Sequence, residues 1–383
     1  MVAYAALREL IPVFPVYALL FVDAGLSTAQ VSSLFVIWSG THVVLEIPSG
    51  AWADAVSRRS LLVLAAGLYG CCFALWSGLP TYASFAGGFV LWGLSSSLVS
   101  GTYEAYVYDH LHDRDDAASY RRVISAGQTS ALVLNLLATA AATPIVATWG
   151  LTGAGWASVA VCAMAAALAI GLPPDAPRSH SDSDDGGETG PGGYVAMLRS
   201  GLAESLHPRL ARTVLLAALV PAFLAFDEYF GLLAAELGAP LTAVPLLVAL
   251  TVAAQALGAA LAPRLPLHRT GPVLVCAGLL VAAGAASARP AGFVAIAAGY
   301  GVLQAAIVVA ETDLQHRIRG RARATVTSVA GLLSDVAAIA LYALVAVGSG
   351  VASMAALVTV LALLVVAMGL AAALAYPTIW SRE

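Results

Sequence analysis

Apolar runs of about membrane-spanning length, each closed by a polar or Gly/Pro break, recur from one end of the chain to the other. They fall near residues 3–23, 28–50, 59–79, 82–109, 122–147, 151–172, 210–236, 240–262, 270–288, 291–313, 324–347 and 351–376. This pattern predicts an all-α membrane protein of twelve transmembrane helices. The longest polar stretch, from Asp175 to Gly193, divides them six and six, and its composition cannot bury enough apolar area to fold. The expected organisation is a six-helix bundle over 1–174, a cytoplasmic linker over 175–209 and a second, pseudo-symmetric six-helix bundle over 210–383. Inside the linker, Tyr194, Met197, Leu198, Leu202 and Leu206 recur at helical spacing before Pro208, which predicts a short amphipathic helix on the membrane surface.

Composition sharpens the picture. Of 383 residues, 60% are hydrophobic and 10% charged, against about a quarter charged in soluble domains. A water-soluble fold is excluded. The net charge of −4 is a thin scatter that offers nucleic acid no basic face. All 18 basic residues are Arg, and with twelve crossings sixteen of them fall on one side, leaving Arg289 on the other and Arg8 near the start of the first helix. Short cytoplasmic loops retain Arg, so both termini are expected in the cytoplasm and the chain in the cytoplasmic (inner) membrane. The first apolar stretch lacks a basic leader region and reads as a retained helix. Cys71, Cys72, Cys162 and Cys276 lie in apolar runs without metal-ligand spacing, so neither disulfide, metal nor cofactor is expected.

A faint repeat runs through the halves. Gly50-Ala-Trp-Ala-Asp54 matches Gly258-Ala-Ala-Leu-Ala262, and Arg121 and Arg122 open the fifth span as Arg321 and Arg323 open the eleventh. That offset of about 200 sets Asn135 opposite Asp335.

Between spans two and three stands Glu46-Ile-Pro-Ser-Gly-Ala-Trp-Ala-Asp-Ala-Val-Ser-Arg-Arg59. It resembles the signature loop of the major facilitator superfamily, Gly-x-Leu-Ala-Asp-Arg-x-Gly-Arg-Arg/Lys, matching at Gly50, Ala53, Asp54, Arg58 and Arg59 and departing at Ala55 and Ser57. The resemblance implies a monomeric transporter in which this loop acts in switching between inward-open and outward-open states. Asp54 would latch the gate with Arg58, Arg59 and the Arg321–Arg323 end of span eleven as partners. It also implies that spans one, four, seven and ten line a central cavity.

Ionisable groups in mid-bilayer cost several kcal/mol and usually face a cavity or a partner. Span seven carries Asp227 and Glu228, about 25 Å from its cytoplasmic start, and span eleven carries Asp335 about 18 Å from its inner end. These three are the expected proton or substrate ligands. Trp92, Tyr103 and Glu104 on span four, and Tyr300 and Gln304 on span ten, are further candidate contacts. Glu104, Asp109, Glu311 and Asp313 fall near the cytoplasmic mouth, where ion pairing with loop arginines is the alternative role. His42 and Glu46 sit at i and i+4 on span two, an arrangement open to pH response or to a plain interhelical hydrogen bond.

Transporters of carboxylates or phosphate esters need a fixed cation, and spans four, seven and ten contain none. Only Arg8 could serve, and it is placed at the cytoplasmic end of span one beside Glu9. An acidic, aromatic cavity suits proton-coupled export of a small cationic or neutral amphipathic molecule. Drug/proton antiporters of the family often carry an Arg in span four and Gly-x-x-x-Gly-Pro in span five; here that Arg is absent and Thr139-Ala-Ala-Ala-Thr-Pro144 stands instead. Uptake of a neutral nutrient is the alternative direction. Outside transport, the rivals are a transporter-like receptor without flux and an intramembrane enzyme, for which Asp109, His110, His112 and Asp113 form the one available cluster.

Overall fold

The computed structural model describes residues 1–112, 119–175, 211–266, 269–318 and 323–375, without the side chains of 46–55, 212, 323–325 and 375. The expected amphipathic helix at 194–206 lies outside the described residues, as does Arg321. The chain divides into two compact units, Met1–Pro191 and Gly192–Glu383, so the boundary falls inside the expected linker.

Every described element is helical. The first unit holds α1 (Val2–Arg8), α2 (Tyr17–Asp23), α3 (Thr28–Ala55), α4 (Arg58–Gly78), α5 (Tyr82–Val99), α6 (Thr102–His112) and α7 (Tyr120–Ile170). The second holds α8 (Ala211–Ala222), a 3-10 segment (Phe223–Tyr229), α9 (Phe230–Glu236), α10 (Val244–Leu261), α11 (Thr270–Ala286), α12 (Phe293–Arg317), α13 (Arg323–Gly348) and α14 (Met354–Ala375). Among the described residues nine helices are long and apolar enough to cross a membrane. One of these is α7, whose 51 residues would span about 75 Å, over twice the hydrocarbon core of about 30 Å. Gly150, at φ 69° and ψ −172°, breaks it into two arms. With that division, the shorter α11 and the interrupted first segment, the chain is compatible with twelve crossings.

Three predicted spans are interrupted, and one predicted break nearly vanishes. The sequence predicts one helix over 3–23, but Pro12 and Pro15 lack the N–H that an α-helix needs, and residues 9–16 form turns between α1 and α2. Span four, predicted unbroken over 82–109, stops at Val99 and restarts at Thr102. Span seven tightens to 3-10 geometry just after Pro221. The predicted break between spans five and six shrinks to Gly150 alone. Spans one and seven also end alike. Gly25 (φ 92°) and Gly238 (φ 86°) adopt the left-handed conformation, with Leu26 N donating to Phe21 O at 3.1 Å and Ala239 N to Ala234 O at 2.9 Å. The two units thus share one kind of cap at the ends of spans one and seven.

Packing repeats as well. In the first unit α4 packs on α5 and on the second arm of α7, α3 on α5, and α1 on α7; in the second, α11 packs on α12 and α14, α10 on α12, and α8 on α13. Small residues permit these approaches, as where Gly278 faces the Ala362 carbonyl with no room for a side chain. The first unit adds an aromatic core of Tyr17, Phe21, Phe73, Trp76, Phe85 and Phe89, all nearly or fully buried.

The signature segment is largely helix rather than loop, since α3 runs to Ala55. Ser57, where the family usually has Gly, caps α4 by accepting from Ser60 N at 3.2 Å. A second cap comes from Asp175, whose carboxylate accepts from Arg58 N at 2.9 Å and Arg59 N at 3.0 Å. Glu236 caps α14 in the same manner, accepting from Met354 N at 2.7 Å and Ala355 N at 2.8 Å. The strap before Asp175 is held too, with Tyr106 Oη donating to Pro173 O at 2.7 Å and a His110 ring nitrogen 2.9 Å from Pro174 O.

Candidate functional site

Each unit presents polar chemistry where a membrane-crossing helix is interrupted. Interruption frees backbone groups that lipid cannot satisfy, so side chains from neighbouring helices must do it. In the first unit, Val13 N donates to Ser158 Oγ at 3.1 Å, while that hydroxyl donates to Ala154 O at 2.8 Å. In the second, Tyr300 Oη donates to Phe223 O at 3.2 Å, at the start of the 3-10 segment.

The break after α1 aims Arg8 and Glu9 into a recess of about 340 Å³ that Tyr4, Ser96, Tyr103, Glu104 and Gln128 also line. The Arg8 guanidinium lies 5.9 Å from the centroid of the Tyr69 ring and interacts with the Tyr4 phenol, whose Oη donates to Leu62 O at 2.9 Å. Asn135 hydrogen-bonds to the Glu9 carboxyl. No carboxylate among the described residues comes within 4.0 Å of Arg8. This first recess therefore contains a cation, Arg8, with Glu9 beside it, the one basic residue the sequence offered for such a role. The buried Tyr103 Oη has no hydrogen-bond partner among the described residues.

The break in span seven carries Asp227 and Glu228, both half-buried, between the buried rings of Phe226 and Tyr229. Tyr300 packs edge-on against Phe230, with ring centroids 4.7 Å apart, and Tyr342 from α13 lies 6.1 Å from Tyr229. The Tyr342 hydroxyl is within electrostatic reach of Glu228 and Asp227, which are neighbours in sequence. Asp335 is half-buried on α13, seven residues or about 10 Å before Tyr342 along a helix that packs on α8 and the 3-10 segment. Gln304 stands one turn beyond Tyr300 and is half-buried.

Other sequence candidates are placed differently. Trp92 is part of the aromatic wall, stacked 5.3 Å from Phe14 and 5.8 Å from Phe89. Arg58 pairs with Asp109, and Arg59 donates to Ile170 O. Asp313, buried, accepts from Arg317 Nε at 2.8 and 2.7 Å, while Glu311 is exposed. Gly50 and Asp54 lie within α3, and Arg323 opens α13, but their side chains lie outside the described ones, as does that of Glu46, the partner expected for the half-buried His42. His110 is held by carbonyls, with Tyr106 O at 3.0 Å and Pro174 O at 2.9 Å, and Asp109 is engaged by Arg58. The sequence overlooks Glu9, Asn135, Gln128, Ser158 and Tyr342 as site residues. Signals that point to some of them are the repeat that sets Asn135 opposite Asp335 and the Pro-interrupted pair of corresponding spans, a mark of transporter binding sites. Among the described residues no three His, Cys, Asp or Glu side chains group to hold a metal ion.

Comparison with known proteins agrees with this architecture. A family model described as Major Facilitator Superfamily matches residues 2–341. The solved nucleoside transporter NupG aligns with a TM-score of 0.77 at 12% identity, over 98% of this chain and 99% of that one. A D-xylose-proton symporter aligns at 0.66 and 15% identity, over 97% and 95%. A bacterial homolog of the human lysosomal transporter Spinster aligns at 0.67 and 16%, over 97% and 92%. No curated protein matches in sequence. The chain belongs to the major facilitator superfamily, a family of membrane transporters rather than enzymes.

Proposed function

We propose that the protein is a proton-coupled secondary transporter of a small organic molecule, working by alternating access, with Asp227 and Glu228 as the proton-handling carboxylates. The carrying observation is their position: two adjacent carboxylates in a 3-10 break of span seven, faced by Tyr300 and Tyr342. A carboxylate at such depth costs about 3 kcal/mol on insertion scales, and binding a proton or a cationic cargo neutralises it. Asp335 on α13 is a third member of this acidic wall, and Gln304 a neutral contact. Nothing resembling a nucleotide-binding loop occurs in the sequence, and the proposed energy source is an ion gradient.

The acidic second unit supports a cationic or neutral amphipathic cargo and outward transport. The first-unit recess widens that class, because Arg8 brings a guanidinium to an anionic group and Tyr103, Glu104 and Gln128 offer hydrogen bonds. Uptake is the second reading, favoured by that hydrogen-bonding recess. The proposal includes a monomer in the cytoplasmic membrane with both termini inside, on the one-sided distribution of arginines, and a gate at Asp54, Arg58 and Arg59.

The test is growth of an efflux-deficient bacterial host on cationic, zwitterionic and neutral amphipathic compounds, comparing the protein with Asp227→Asn at equal expression. Resistance lost in the variant supports export. Sensitisation by the intact protein supports uptake. Saturable binding by purified protein without flux in liposomes would make it a receptor and defeat the proposal.

A further inference from the structure

On the second unit, α10 and α11 both pack on α12, and an open groove of about 710 Å³ runs between them. Its floor exists because side chains are missing there: a Cβ on Gly258 would collide with the carbonyl of Gly301, so α10 and α12 meet backbone to backbone. Leu257 and Leu261 form one wall and stay 60% and 41% exposed, while Val273 and Cys276 form the other. Nothing in these walls is charged. At one end the groove is crowned by Arg264 and Arg269, both exposed and neither in an ion pair among the described residues.

Length and charge together specify an occupant. From Arg264 to Ala254, which also lines the groove, is ten residues or about 15 Å of helix, half of a hydrocarbon core of about 30 Å and so the depth of one leaflet. The arginine end is the side that the positive-inside tally makes cytoplasmic. We infer that this groove is a binding site for an anionic phospholipid of the inner leaflet, its acyl chain lying along Leu257, Leu261 and Cys276 and its phosphate held by Arg264 and Arg269. Two guanidiniums fork onto phosphate oxygens better than two ammonium groups do, and juxtamembrane arginines attract anionic lipid by about fivefold each, or about thirtyfold for the pair.

Cys276 supplies the readout, being exposed in the wall while Cys72 and Cys162 are buried. In a Cys71→Ser background, the full-length protein is placed in nanodiscs of phosphatidylcholine alone or mixed with phosphatidylglycerol, and Cys276 is modified with an apolar maleimide. Lipid retained by the purified protein is measured in parallel by native mass spectrometry. Phosphatidylglycerol is expected to slow modification and to stay bound, and Arg264→Gln/Arg269→Gln to lose that preference by about thirtyfold. The Lys pair at the same positions is expected to keep most of the charge preference. Equal protection by both lipids, or a preference unchanged in the Gln pair, would overturn the assignment.

Discussion

Asp175 stands just past the last crossing of the first unit, yet its two carboxylate oxygens cap α4 through Arg58 N and Arg59 N at 2.9 and 3.0 Å. Replacing it with Ala orphans two N–H groups at a helix start and removes a negative charge from the positive end of the helix dipole. Loss of a cap costs about 1 kcal/mol, up to about 2, and loss of the charge about 0.3–1. Asp175 is only half-buried, so water recovers part of this, and a net loss of about 2 kcal/mol is expected. Asp175→Asn keeps one acceptor oxygen and should lose about half as much. The assay is reversible unfolding of the purified protein by SDS titration in mixed micelles, followed by tryptophan fluorescence. Ala within about 0.5 kcal/mol of the parent, the range of ordinary surface substitutions, would refute the capping argument. So would Asn and Ala losing the same amount.

Three further outcomes can be checked directly. Tyr300→Phe leaves Phe223 O without its donor and should cost about 1 kcal/mol in the same titration, within the range measured for hydrogen bonds in membranes. Gly278→Ala drives a methyl into the Ala362 carbonyl and should cost about 1–3 kcal/mol by forcing α11 from α14. Arg8→Gln should weaken any cargo that bears a carboxylate by about tenfold or more while sparing its neutral analogue, read as competition in a transport assay; Arg8→Lys should restore it only in part.

That the chain is a succession of apolar helices is legible because lipid leaves a chain little choice, and apolar length marks the candidate crossings. Asp227 and Glu228 are equally visible, as charges inside an apolar run. What is harder to read is tertiary. Arg8 and Glu9 are legible as a pair near the start of span one, but the division of that span after them and the recess they share with Tyr103 and Gln128 are not. Asp175 looks like the first residue of a polar linker, and only the fold returns it to the start of α4. Ser158 and Tyr342 carry no sequence signal, because a hydroxyl in a membrane helix looks the same in sequence whether it serves a broken neighbour or only its own backbone, and Asn135 shows only as the faint repeat partner of Asp335. Trp92 shows the converse, since its place on a polar-looking stripe suggests a cavity while its ring packs in the aromatic wall.

The central claim is that cargo movement and proton movement are coupled through the broken seventh span. The most direct measurement is cargo-driven proton flux in proteoliposomes, with internal pH followed by an entrapped dye, using a compound identified by the growth screen. The parent protein should move protons whenever the cargo gradient is imposed. Asp227→Asn should abolish that proton movement while still exchanging labelled for unlabelled cargo across the membrane. Proton flux that persists undiminished in both Asp227→Asn and Glu228→Gln, at equal cargo flux, would contradict the account.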